Sequence, residues 1–274
     1  MPGQHLPGGH NITRHSTNPA TGFNPLNLRI ITYNIHRAIG LDRRFQPARI
    51  INILQDHNPD IVLLQEVDDG VPRSGEQNMT REIAEALDYP YYAAGYNVSL
   101  RKGRYGNATL SRYPIVRERN IDLTIGDLKR RGCQHTAIQV KHGDDVLYRL
   151  EVFNLHLGLS SLERQRQAGV LLRSKEFTDI DHQSACIVGG DFNDWLSRLR
   201  ALFVEGMSLH CATDRETRLR TRPIKTYPSF SPRGGLDRIY YRGNLRLVNA
   251  LSCRHQVARV ASDHLPVIVD FNLL

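Results

Sequence analysis

What this chain lacks narrows its class before any motif is read. No run approaches the ~20 consecutive apolar residues that a membrane-spanning helix needs, so no such span is expected. Cysteine is scarce. Cys133, Cys186, Cys211 and Cys253 lie far apart with no CxxC pair, which argues against a zinc site and offers no disulfide framework. Reduced thiols and a cytoplasmic protein, at most peripheral on a membrane, are the expectation. There is one tryptophan and only 7% aromatic residues, so Tyr105, Tyr113 and Trp195 are scattered and expected in core or rim positions, not as a base-stacking platform. Acidic residues are the minority, 28 against 36 lysines and arginines, for a net charge of +8. The excess gathers in Arg43-Arg44, Lys129-Arg130-Arg131 and the run from Arg215 to Arg222. A basic surface attracts polyanions, and nucleic acid, anionic lipid and phosphorylated metabolites all qualify.

What is present suits one folded domain. At 274 residues the chain can bury a sizeable core. Met1 to Pro25 is rich in Pro, Gly, Asn, Thr and His, lacks the apolar segment of a signal peptide, and reads as a disordered polar tail. His5, His10 and His15 in it are expected to be solvated. Order is expected from Leu28, giving a tail over residues 1–27 and a domain over 28–274.

From Leu28 the β-branched run to Tyr33 predicts a strand that delivers Asn34 and His36. Pro47 opens a helix with Ile50, Ile53 and Leu54 on one face, and Asn58-Pro59 stops it. The apolar run Asp60 to Gln65 predicts a doubly buried strand ending at Glu66. A helix is expected over Met79 to Leu87, then strands at Tyr91–Ala94, Asn107–Leu110, Gln134–Val140 and Val146–Phe153. Ser160 and Glu163 form a capping-box pattern for a helix reaching about Thr178. Further strands are expected at Cys186–Val188, Gly235–Tyr241, Leu245–Leu251 and Leu265–Phe271. The alternation implies an α/β domain but leaves open one doubly wound sheet or two packed sheets.

Polar clusters punctuate these apolar strands: Asn34 and His36, Glu66, Asp191 and Asn193, and Ser262-Asp263-His264 just before the last strand. A single carboxylate at a strand end is usually a turn former, whereas several outside one sheet edge suggest a site. Carboxylates and an amide carbonyl suit a hard, oxygen-preferring cation such as Mg2+ or Mn2+. Metal, carboxylate and histidine together supply what phosphoester hydrolysis requires: charge neutralisation, an activated water and help for the leaving group.

The segments Ile31-Thr32-Tyr33-Asn34-Ile35-His36, Leu64-Gln65-Glu66-Val67, Asn154-Leu155-His156, Gly190-Asp191-Phe192-Asn193, Leu236-Asp237-Arg238-Ile239 and Ser262-Asp263-His264 occur in this order. In that order they resemble the endonuclease/exonuclease/phosphatase superfamily of metal-dependent phosphohydrolases, over about Leu28 to Phe271. The resemblance implies a four-layer α/β sandwich, two mixed β-sheets packed face to face and flanked by helices. It implies Glu66 as principal metal ligand, with Asn34 and Asp263 beside the metal or its waters. Asp191 would orient or deprotonate the attacking water, with Asn193 holding that water or the phosphate. His156 and His264 would flank the scissile phosphate, and Asp237 would orient His264. His36 stands where DNA-cleaving members often carry an acidic residue, so it is left out of the metal set. That departure, with Gly106 to Pro114 and Thr226-Tyr227-Pro228-Ser229, is more similar to the sphingomyelinase-like bacterial branch. A monomeric phosphodiesterase on a lipid-related or small phosphodiester is then implied. A nuclease on DNA or RNA, and a non-catalytic scaffold that kept the fold, are the competing readings.

Overall fold

The first strand shows why the chain forms sheets buried on both faces. In β1 (Leu26–Asn34), Leu28 and Ile30 pack toward a second sheet while Ile31 and Tyr33 pack toward helices, all buried. The computed structural model describes residues 25–142, 146–216 and 221–274. His5, His10, His15 and the middle of the basic run Arg215 to Arg222 lie outside the described residues. β1 starts two residues before the expected Leu28, because Leu26 and Asn27 already pair with Leu273 and Asn272. Leu26 also packs on the inter-sheet core. Backbone pairing needs no apolar side chain at Asn27, so hydropathy alone set the boundary too late.

The helix α1 (Pro47–His57) follows, with Asn58 in a left-handed cap whose N–H reaches the carbonyls of Leu54 and Gln55. Its buried Ile50, Ile53 and Leu54 each contribute about 1.5–3 kcal/mol against the sheet. Next come β2 (Ile61–Asp69), α2 (Met79–Ala86), β3 (Tyr91–Ser99), β4 (Arg104–Ser111), β5 (Ile115–Asp122), β6 (Gly132–His142) and β7 (Val146–His156). Ser160 Oγ then accepts the Glu163 N–H and starts α3 (Ser161–Arg173). The expected single helix to Thr178 breaks at Ser174, whose extended backbone separates α3 from the one-turn α4 (Lys175–Thr178). The chain continues through β8 (Ala185–Asp191), α5 (Arg200–Val204), β9 (His210–Cys211), the two-stranded ribbon β10 (Asp214–Glu216) and β11 (Thr221–Pro223), β12 (Asp237–Arg242), β13 (Leu245–Ser252), α6 (Gln256–Ala261) and β14 (Val267–Leu273).

Two six-stranded sheets result, ordered β13-β14-β1-β2-β4-β3 and β5-β6-β7-β8-β12-β9. Each is antiparallel except for one central parallel pair, β1 with β2 and β7 with β8. An apolar core fills the space between the sheets. A second core lies between the first sheet and α1, α2 and α6, and a third between the second sheet and α3, α4 and α5. This is the expected four-layer sandwich, and two separate sheets exclude the doubly wound alternative. β5 and α6 were not anticipated. β5 is a mostly exposed edge strand of charged residues, and α6 is too short for a helical period to show.

This topology decides where chemistry can collect. Parallel strands end on the same side, and an antiparallel neighbour begins there. Asn34 therefore pairs with Gln65, His156 with Asp191, and Asp237 with Asp191 at one shared edge. The segment before β14 arrives at the same edge, where Ser262 Oγ donates to the Asn34 carbonyl at 2.7 Å.

Candidate active site

β2 does not end at Glu66, as its apolar run suggested, but continues to Asp69 through a bulge. Leu64 pairs with Ala108 and Val67 with Gly106, so β2 spends one residue more than β4 over this stretch. Glu66 occupies the bulge with φ 57°. Before it, Leu64 faces the helices and Gln65 faces the other sheet; after it, Val67 faces the helices again. The bulge absorbs Glu66 from the alternation and aims its carboxylate along the sheet edge, a frequent use of bulges beside active sites. Among the described residues Glu66 Oε2 is buried without a hydrogen bond, and Arg37 Nε, 3.4 Å away, is itself without a hydrogen-bond partner.

Asp191 sits at the other strand end. Gly190 before it has φ 138°, and a Cβ there would lie 2.0 Å from the Leu155 carbonyl, so only glycine lets β8 run this close to β7. Asp191 Oδ1 accepts the Asn193 N–H at 2.9 Å. Oδ2 is the hub of the site, 3.1 Å from Asn34 Nδ2, 3.5 Å from His156 Nε2 and 3.7 Å from His264 Nε2. Asn193 turns its own amide to the Leu157 carbonyl at 2.9 Å. His264 Nδ1 donates to Asp237 Oδ2 at 2.8 Å, and Asp237 Oδ1 is buried and unpartnered.

Electrostatics separate the two imidazoles. Burial by itself would discharge His264, but the Asp237 and Asp191 carboxylates outweigh it and raise the ring to about 10, leaving an imidazolium. Burial, with Arg131, His264 and Lys129 nearby, holds His156 well below the ordinary range, so that ring is neutral. Asp191 is pushed up to about 6, chiefly by burial and against the pull of His264.

Two groups of donors compete for any divalent cation. Asp191, Asp237 and His264 each offer one atom within 4.8 Å of the others. Yet His264 and Asp237 saturate each other in a direct hydrogen bond, and an imidazolium has no lone pair to give. The unpartnered Glu66 oxygen is a better fit, with Asn34 opposite Gln65 on the neighbouring strand and Asp263 following α6. Asn34 Oδ1 accepts only the His36 N–H, at 3.1 Å. These are hard oxygen donors of the kind Mg2+ and Mn2+ take. His36 is held by its own turn, its Nδ1 2.9 Å from the Ile39 carbonyl, and stays outside both groups.

Several residues around the site were not singled out in the sequence. Arg131 is buried with an unpartnered Nε and lines a narrow cleft with Glu66, Tyr105, Asn107 and His156. Its basic run was legible; its place was not. Behind the cleft a polar seam joins the sheets. Gln65 Nε2 donates to Asn154 Oδ1 at 2.8 Å, and Asn154 Nδ2 reaches the carbonyls of Leu64 and Ala108. Asn107 spans to Gly132 and Asn154, and Thr109 donates to Gln134. Gln65 and Asn154 belong to recognised motifs, yet both fix one sheet against the other. Arg238, beside Asp237, points the opposite way into an ion pair with Asp214 at 3.1 Å.

Among the described residues no helix is long and apolar enough to cross a membrane, and all four cysteines are free thiols. The Endonuclease/Exonuclease/phosphatase family model matches residues 31–264. The uncharacterized protein YbhP of Escherichia coli strain K12 is 28% identical over 255 residues, 89% of this chain and 96% of that one. A crystal structure of an endonuclease/exonuclease/phosphatase from Beutenbergia cavernae superposes with a TM-score of 0.70 at 21% identity, covering 90% of this chain and 72% of the other. The mannosyl-6-phosphatase of Bacteroides thetaiotaomicron gives 0.65 at 20% identity, covering 89% and 99%. At such identities the two structures establish the fold.

Proposed function

Because the chain belongs to the endonuclease/exonuclease/phosphatase family, whose members hydrolyse phosphoesters, we propose that it is a Mg2+-dependent phosphodiesterase acting on a lipid-related or small phosphodiester. The observation that carries this reading is the Asp191 Oδ2 hub, one buried carboxylate oxygen facing a neutral and a charged imidazole. Glu66, Asn34 and Asp263 would hold the ion, which when bound neutralises phosphate oxygens and the leaving group; Mn2+ could take the same ligands. Asp191 takes the proton of the attacking water, since a buried carboxyl raised to about 6 is a competent base near neutral pH. Asn193 fixes Asp191 through its backbone N–H. The His264 imidazolium, aligned by Asp237, donates to one phosphate oxygen, and His156 approaches another from the opposite side. The ester P–O bond breaks, and the leaving oxygen takes up a proton as the alcohol.

The rim favours an apolar leaving portion. Leu159, Trp195, Leu196 and Phe230 are all exposed, on loops rooted in the site. Leu159 follows His156, and Trp195 follows Asn193. The Trp195 ring packs edge-on against Tyr227 at 5.5 Å, and Tyr227 lies 5.0 Å from the His264 ring. Phe230 follows Ser229, whose N–H donates to the Asp263 carbonyl. Exposed apolar side chains on the loops that lead from the site residues fit an amphiphilic substrate better than a polynucleotide. Arg131 and its neighbours Lys129 and Arg130 support the second reading, a nuclease. The test is Mg2+-dependent release of p-nitrophenol from its bis-phosphate ester, with and without chelator. A panel of sphingomyelin, phosphatidylinositol, small phosphates, DNA and RNA then follows. Turnover of the lipids supports the proposal, turnover confined to DNA or RNA replaces it with the nuclease, and no turnover of any ester refutes both.

A further inference from the structure

Away from the sheet edge, three side chains converge on the outer, helix-covered face of the first sheet. His57 closes α1, while Cys253 and His255 flank Arg254 in the turn between β13 and α6. One nitrogen or sulfur atom from each lies within 4.8 Å of the others. The two imidazoles are 5.6 Å apart, tilted 32°. His57 Nε2 is buried with no hydrogen-bond partner among the described residues, and Cys253 is 2% exposed. The Asp56 carboxylate is close enough to act on both His57 and Cys253.

A buried cysteine against an apolar core is ordinary by itself. A neighbouring imidazole with a buried, unpartnered nitrogen is not, because leaving that nitrogen unmet costs about 1–3 kcal/mol. A cation would recover that cost. We propose that His57, Cys253 and His255 form a second metal site, specific for a divalent cation that prefers nitrogen and sulfur, Zn2+ above all. Its soft donors separate it from the oxygen donors around Glu66. Tetrahedral Zn2+ bonds of ~2.0–2.3 Å place ligands closer together than 4.8 Å, so the exposed His255 ring has to close inward. Water completes the fourth position. Binding replaces the thiol proton with the metal: Cys–SH plus M2+ gives a thiolate complex, [Cys–S–M]+, plus H+. The ion would pin α1 to the start of α6, the helix that leads into Asp263 and His264. The wide spacing of the cysteines hid such a site, since two of its three ligands are histidines and one comes from a distant helix.

Co2+ titrated into the full chain tests this, because only a thiolate ligand gives an intense sulfur-to-cobalt charge-transfer band; Mg2+-type oxygen sites and tail histidines give none. One equivalent should develop the band, and Zn2+ should displace it. Cys253→Ser should abolish it. His57→Gln and His255→Gln should each weaken binding at least about tenfold, as losing a ligand costs no less than losing its supporting partner. Cys211→Ser and Glu66→Gln should leave it unchanged. His255 is exposed, so its variant reads the site even if Cys253→Ser misfolds. Absence of the band at saturating Co2+, or its survival in Cys253→Ser, would overturn the proposal.

Discussion

The two sheets share one plan and carry opposite chemistry. Each has a central parallel pair joined through helix, an antiparallel strand entering beside one member, and a hairpin beside the other. On this plan Asn34 of β1 matches Asp191 of β8, Glu66 of β2 matches His156 of β7, and the residues before β14 match Asp237 of β12. The first sheet presents oxygen donors that are partly open or unpartnered. The second presents buried carboxylates and an imidazole gathered around Asp191 Oδ2. Two hydrogen bonds cross between the sheets at this edge: His264 leaves the first sheet's edge to bond Asp237 of the second, and the Asn34 amide donates to Asp191 Oδ2. The comparison teaches that the topology supplies equivalent positions, and that burial and pairing decide which half can take an ion and which moves protons.

The largest expected effect lies on the second sheet. Asp191→Asn keeps the hub's shape but cannot take a proton, and should lower kcat on the bis-ester by about 10³–10⁴-fold. Wild-type rates in this variant would transfer the base to another group. Slightly smaller losses, about 10²–10³-fold, are expected for His264→Ala and Asp237→Ala. Because these two act as a unit, the double variant should be scarcely slower than His264→Ala alone. Multiplicative losses in a double-mutant cycle would remove the aligning role of Asp237.

The same comparison explains what could be read in advance. Strand-end motifs depend on local order along the chain, so Asn34, Glu66, His156, Asp191, Asn193, Asp237, Asp263 and His264 could all be singled out from it, and strand pairing and contacts bring them toward one edge, Asp263 through Ser262 Oγ at 3.4 Å. The bulge at Glu66 was not visible, because it is a mismatch between β2 and β4 that neither strand carries alone. The seam of Gln65, Asn107 and Asn154 was hidden for a similar reason: a buried amide looks like any polar residue until its partners on the other sheet are known. Arg131 read only as part of a basic cluster, with nothing to place it beside Glu66 and His156. These misses imply that sheet-to-sheet position rests on the seam. Asn154→Ala leaves several buried groups unpaired and should cost about 3 kcal/mol, lowering Tm by roughly 6–12 °C. A Tm within 2 °C of wild type, on the order of ordinary surface variants, would mean that the apolar core alone sets the geometry.

A smaller effect separates the halves by pH. With chelator present, the charged His264 ring stabilises the fold fully below its ordinary value of ~6.5. Because folding raises that ring to about 10, this stabilisation should be lost as pH climbs through that value. The Tm gap between wild type and His264→Gln should therefore be widest at acid to neutral pH and shrink at strongly alkaline pH. A gap that widens with pH would reverse the assigned sign.

The division between an ion-holding sheet and a proton-moving sheet is tested most directly by titrating Mg2+ against turnover in Glu66→Gln and Asp191→Asn. Glu66→Gln should move the Mg2+ midpoint by at least about tenfold, as loss of a charged ligand demands, and recover part of its rate in excess metal. Asp191→Asn should stay slow at every concentration, with the midpoint where wild type has it. A midpoint displaced equally in both variants would make Asp191 a metal ligand and contradict the division.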